Sequence, residues 1–315
     1  MPVLNLRIIR ISSASLLTGL MIGAVGSIFR MLLVIADRMR EGLVVKRTAG
    51  LMPGWLAPLA LGMTGTALAR LMVGRFSPEA EGSGVHRVEA ALTGEVKPAN
   101  DAILPVKFFG GILAIGSGLA LGREGPIVQM GASLASLVSR FLVKGDEDTR
   151  IVDAAGAGAG LAVAFNAPIG GSVFVFEELT SRFTPGLLVA TLTAATSGVA
   201  IMRLMLGNNL DFPVKEVSLN AVRLSWPFLL LGAALGVVGA LYNWFIIRLL
   251  RFADSLSRPT PVQVAALIGA TIGLVAWFAP QLGGGGDSLT EVILSGGNGI
   301  GALAIIFGLR FFIGP

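Results

Sequence analysis

LALGREGPIVQM, residues 119–130, sets an arginine and a glutamate side by side between glycines and a proline, inside otherwise apolar sequence. A charge at mid-bilayer costs about 3 kcal/mol on insertion scales, so an ionisable residue kept there is a functional hypothesis by default. Gly122 and Gly125 allow the backbone to turn sharply. Pro126 suits the first turn of a helix, which predicts a helix over 126–142. The free N–H groups and positive end of that helix would point at position 124, an arrangement that binds anions. The Glu124 carboxylate can fill such a site itself; once protonated, it can leave and admit a mobile anion. The alternative is that Arg123 and Glu124 form an ion pair stapling two helices.

The rest of the chain explains why charge is out of place here. Of 315 residues, 54% are hydrophobic and 14% charged, against about 25% charged in an ordinary soluble domain. Mean hydropathy is +0.79. Runs at 13–36, 51–74, 101–121, 184–206, 226–250 and 262–282 are long enough to cross a bilayer as helices. Shorter apolar pieces at 127–142, 151–165, 168–176 and 300–314 suit broken or re-entrant helices packed within protein. The expected class is an all-α membrane protein, one membrane domain over 1–315. The net charge of +5 is spread out, with no basic face for nucleic acid. Charges at 37–50, including Arg38, Arg40, Lys46 and Arg47, read as a loop and leave the orientation balanced. There is no Cys and one His, which excludes disulfides, thiolate metal sites and multi-histidine sites. No phosphate loop or nucleophile elbow occurs, so no metal, cofactor or enzymatic activity is expected.

An internal repeat is visible. GSGVHRVEAALTG at 82–94 aligns with GGGDSLTEVILSG at 284–296: Gly82, Gly84, Glu89, Leu92 and Gly94 match Gly284, Gly286, Glu291, Leu294 and Gly296. The helix at 51–74 would then correspond to that at 262–282. Paired repeats with Gly-interrupted segments mark secondary transporters, whose sites lie at the repeat interface. The boundaries read as 13–206 for the first repeat and 224–315 for a partial second. The counterpart of GREGP would fall beyond position 315, so the sequence is expected to be truncated.

Two further motifs carry polar groups into apolar surroundings. In EGSGVHRVEAAL, 81–92, Ser83 either caps its own helix or aims its hydroxyl and the neighbouring N–H groups at a dehydrated anion. His86 falls in the first turn, at a polar rim. Glu89 and Lys107 are candidates for a buried structural pair. In GAGAGLAVAFNAPIGGSVFVFEELTSRF, 156–183, small residues demand close packing, and Asn166-Ala167-Pro168 ends one helix and starts the next. Glu177 and Glu178 close that second helix, either as a solvated end or as a proton-handling group at the mouth of an internal path.

Taken in order, GSGVHRVEAAL, LPVKFFGG (104–111), LGREGP, VAFNAPIGG and FEEL resemble the CLC chloride channel and transporter family, strongly over 50–182 and weakly elsewhere. The resemblance implies a homodimer in the lipid bilayer, each subunit an inverted-repeat bundle of broken and tilted transmembrane helices with its own anion path. It implies that Gly82, Ser83 and Gly84, with Arg123, Glu124 and Gly125, hold chloride. Glu124 would be the outer gate and proton carrier, and Glu178 the inner proton glutamate, with Glu177 its structural neighbour. The expected function is chloride transport coupled to proton antiport in a prokaryotic inner membrane. Chloride is the substrate and no cofactor is implied. A passive gated channel and a non-transporting subunit are the alternatives. A carboxylate at 178 favours the antiporters, and Ser83 is the residue type associated with chloride preference. The family's GSGIP reads GSGVH here. Its second anion loop (GxFxP) and central tyrosine are absent, the one tyrosine, Tyr242, lying in the 226–250 helix.

Overall fold

The structure, a computed structural model, describes residues 2–45, 53–97, 100–208, 225–255, 260–294, 296 and 299–314. In chain order its helices are α1 (Pro2–Val45), α2 (Leu56–Phe76), α3 (Val85–Thr93), α4 (Ile103–Gly116), α5 (Glu124–Leu142), α6 (Asp146–Phe165), α7 (Pro168–Phe174), α8 (Pro185–Leu206), α9 (Ser225–Ser255), α10 (Pro261–Phe278), α11 (Asp287–Leu294) and α12 (Ile300–Ile313). No strand occurs among the described residues, as expected where no water is present to satisfy backbone groups. Among the described residues, five helices are long and apolar enough to cross a membrane: Leu6–Gly42, Leu56–Phe76, Pro185–Leu206, Trp226–Ala253 and Pro261–Phe278.

Three expectations are corrected. The stretch 101–121 is not a full span. Its helix α4 has 14 residues, about 21 Å at 1.5 Å per residue and short of the roughly 30 Å hydrocarbon layer. It stops because Ser117-Gly118 turns the chain, with Gly118 at φ +111°. The expected 37–50 loop is helical to Val45; Lys46 and Arg47 lie outside the described residues. Helix α5 begins at Glu124 rather than at 126, putting Pro126 at its third position, where the missing N–H still has no helical acceptor to lose.

Glycine sets the packing distances. Gly131 on α5 abuts the Gly156 carbonyl of α6, and Gly160 abuts that of Ile127, so a Cβ at either glycine would overlap the partner backbone. These contacts run in opposite senses along the two helices, which are therefore antiparallel. The core forms where α1, α5, α6 and α8 meet, around Ile22, Phe29, Ile127, Met130 and Leu134.

The repeat appears in three dimensions. Helices α2 and α10 are each followed by a short 3-10 turn opening on proline, Pro78–Ala80 and Pro280–Leu282, and then by a short helix, α3 or α11. The glycines aligned by sequence share left-handed backbone: Gly82 and Gly284 at φ +67° and +75°, Gly84 and Gly286 at +86° and +98°, Gly94 and Gly296 at +86° and +81°. Left-handed φ carries little penalty for glycine alone, which is why these positions match. Contacts between α2 and α10 pair Thr66 with Ala265, Gly62 with Gly269 and Pro58 with Gly273. Rising numbers on one helix meet falling numbers on the other, so equivalent helices of the two halves run antiparallel, as an inverted repeat requires.

Candidate functional site

The loop before α3 and the start of α5 meet face to face. A Cβ on Gly125 would stand 2.5 Å from Ser83 Oγ and 2.7 Å from the Ser83 carbonyl, so glycine at 125 lets the serine approach the helix end. The first bond of α5 runs from Ile127 N–H to the Arg123 carbonyl at 3.2 Å. The amides of Glu124 and Gly125 precede it and lack intrahelical acceptors, and Pro126 has no donor. The open donors and the positive end of a 19-residue helix thus stand beside the Ser83 hydroxyl.

Glu124 folds back over Gly122, where its Oε2 would overlap any Cβ. That posture leaves its side chain in the shared wall of two cavities. The first, of about 650 Å³, is lined by Gly82, Ser83, Lys107, Glu124 and Gly125 among others. The second, of about 400 Å³, is lined by Asp37, Arg38, Arg40, Arg123, Glu124 and the glycines 283–286. Gly82, Ser83, Glu124 and Gly125 are therefore brought together in the wall of the first cavity. Arg123 lines the second cavity, and Gly84 is buried against Gln129 at the start of α3.

Several expectations about these side chains change. Ser83 does not cap α3: the cap residue is Gly84, left-handed, with no side-chain cap bond. The hydroxyl is thereby left for the cavity. Lys107 does not pair with Glu89. Its ammonium, on a side chain only 5% exposed, donates to the carbonyls of Ala80 at 2.9 Å and Gly82 at 2.6 Å, while Glu89 is exposed. Val85, Val88 and Leu92 claim the packed face of α3, which turns position 89 outward. His86 is exposed at the second helical position. Tyr242 lies on α9, edge-on to Phe311 of α12 at 5.3 Å between ring centroids, and is among the lining of neither cavity.

Glu177 and Glu178 line neither of these cavities. Asn166, at φ +54°, ends α6, and Pro168 opens α7. The chain then widens into a π-helical turn over 175–179, with Glu177 and Glu178 both exposed. π turns are rare and frequent at functional sites, and no residue pattern flagged this one. The sequence also gave no notice of Gln129. Its Nε2 donates to the Glu79 carbonyl at 3.0 Å, and its amide packs so closely on Gly84, beside the serine, that a Cβ there would overlap it. The signal was its polarity on the buried face of α5, where Ile127, Val128 and Met130 are its neighbours.

The sequence profile of the family described as "Voltage gated chloride channel" matches residues 65–314. The H(+)/Cl(-) exchange transporter ClcA of Vibrio cholerae is 36% identical over 305 residues, covering 95% of this chain and 65% of its own. That of Vibrio parahaemolyticus is 34% identical over 302 residues, covering 92% and 64%. The present chain thus spans about 65% of the length of these curated relatives. Among solved structures, a slow cyanobacterial Cl-/H+ antiporter superposes with TM-score 0.90 at 29% identity, over 97% of this chain and 72% of the other. A CLC-type fluoride/proton antiporter, at 20% identity, TM-score 0.77 and coverage of 96% and 74%, shares the fold.

Proposed function

Since the chain belongs to the voltage gated chloride channel family, we propose that it forms a chloride path coupled to proton antiport, gated by Glu124. The observation that carries this reading is the place of that carboxyl, in the wall between two cavities and beside the open end of α5. An anion and the Glu124 carboxylate compete for the same donors. Protonation removes the charge that holds the side chain there, so an anion enters as a proton is taken up, and the two movements are linked. Ser83 supplies a neutral hydroxyl from the opposite side. Fixed dipoles and a hydroxyl suit a small dehydrated halide, and the curated relatives' names specify chloride and protons. Glu178, exposed on the π-helical turn, collects protons at the far end.

The same reading places the protein in a prokaryotic inner membrane as a homodimer, with no cofactor and no enzymatic step. It sets the repeat boundaries at 13–206 and 224–315. Single-vesicle subunit counting tests the dimer.

The experiment for function is flux in reconstituted vesicles under an imposed chloride gradient, with pH recorded. The unmodified protein should drive protons uphill. Glu124→Gln should keep chloride flux and lose that coupling. Glu178→Gln should cut proton flux at least about tenfold, as expected for loss of a positioned acid–base group, with chloride flux maintained. Uphill proton movement in Glu124→Gln would remove Glu124 from the mechanism, and an unmodified protein that passes chloride with no proton response is a channel.

A further inference from the structure

A third cavity, of about 460 Å³, lies between α3, α5 and α6 and has no part in the anion path described above. Asp153, Gln129, Ser133 and Ser136 line it, with Lys97 and Arg150, both exposed, at its mouth. Oδ1 of Asp153 and Oε1 of Gln129 are buried without a hydrogen-bond partner. Two buried, orphaned acceptors on residues that line one cavity are costly; a small side-chain movement that admits cavity water, or a proton on Asp153, removes that cost. No ion pair among the described residues engages Asp153. Of the cations near it, Arg140 of α5 is held by Asp101 at 2.8 Å and Arg87 of α3 by Glu79. Arg150 lies on the same helix as Asp153, as does Asp146, and Glu95 and Lys97 follow α3.

The cavity leads somewhere. Gln129, which lines it, is the residue whose amide packs against Gly84, next to Ser83. Its mouth is at the same end of the molecule as Glu178. Helix α6 starts at that end with Asp146, and α7 returns antiparallel to it, with Gly171 against Gly158 and Ala162, to reach the π-helical turn.

We propose that Asp153 is a second proton-exchange group at the Glu178 end of the protein. A hydronium ion from that side protonates the Asp153 carboxylate. The neutral acid passes the proton to cavity water, and water beside Gln129 carries it behind the Ser83–Gly84 loop toward the Glu124 carboxylate. The proton count is unchanged at each step, and Asp153 is returned to its anion. The inference rests on the proton-coupled reading.

The test uses the same reconstituted vesicles. Glu178→Gln should leave a measurable residual proton flux. Adding Asp153→Asn should lower that residue at least about tenfold, with chloride flux held, and Asp153→Glu should restore it. Ser136→Leu, which fills the cavity and leaves the carboxylate in place, should do the same as Asp153→Asn and decides the matter if that variant fails to fold. Absence of residual proton flux in Glu178→Gln, or a residue that survives both changes, overturns the proposal. An unmodified protein without proton coupling instead overturns the antiport reading, a distinct result.

Discussion

Lys107 is a cation in apolar surroundings, and its surroundings say what it does. It is 5% exposed, and its ammonium is held by the Ala80 and Gly82 carbonyls. Both carbonyls belong to the turn that delivers Ser83, and Lys107 also lines the cavity that Ser83 and Glu124 share. The side chain is thus a strut for the loop and a fixed positive charge in the wall. Lys107→Met removes two charged-donor hydrogen bonds worth roughly 1.5–3 kcal/mol each, so we expect a loss of about 3 kcal/mol of stability, read from thermal unfolding in detergent. Chloride affinity, measured by calorimetry, should fall as well. Lower stability with unchanged affinity would leave Lys107 a strut only. Sequence reasoning paired Lys107 with Glu89 because each charge sat among apolar residues. What it could not supply was the rotation of α3, which follows from the claim of Val85, Val88 and Leu92 on the core.

At the scale of helices, the α2–α10 seam is built from backbone. The Gly269 position faces the Gly62 carbonyl and the Thr66 hydroxyl so closely that a Cβ would overlap both, and Thr66 donates to the Ala265 carbonyl at 2.7 Å. Small residues permit such approach, and in a bilayer close packing supplies much of the attraction. Gly269→Val therefore has to push two helices apart. We expect it to lower stability by about 3 kcal/mol, the upper end for overpacking. Gly239→Val, on α9 with nothing within 4 Å of a Cβ, should cost no more than about 0.5 kcal/mol, since valine lies above glycine in helix propensity. Equal losses in the two variants would mean that the seam is not under steric constraint. Apolar length and aligned glycines made these helices and their correspondence legible. The early end of α4 was hidden because Leu113, Ala114 and Ile115 run without a polar break into Gly116-Ser117-Gly118. The π-helical turn at 175–179 was hidden because VFEEL fits an ordinary helix equally well, and only tertiary packing selects the wider turn.

Across the whole molecule, the seat of Glu124 depends on both halves. The Gly284 N–H donates to the Gly118 carbonyl at 2.9 Å, tying the second-half turn to the loop that precedes Gly122. Arg40 fills the junction: it pairs with Asp37 at 2.7 Å and approaches the Gly116 carbonyl at 3.5 Å. It packs so that a Cβ on Gly118 would lie 3.3 Å from its Cδ, and one on Gly284 3.0 Å from its Nη2. Arg310 of α12 holds the Gly284 carbonyl from the other side at 3.1 Å. Neither half presents this loop alone, which is why GREGP could be read from sequence as an anion-binding helix start and its brace could not. Arg40→Ala should cost about 2 kcal/mol, below the roughly 3–5 kcal/mol of a fully buried pair because 40% of the Asp37 side chain is exposed. The sharper expectation is spatial. Hydrogen exchange should accelerate together at 117–123 and 283–286, with α2 and α10 protected as before. Acceleration at 117–123 alone would mean that the two loops are not one unit, and that the first half holds Glu124 by itself.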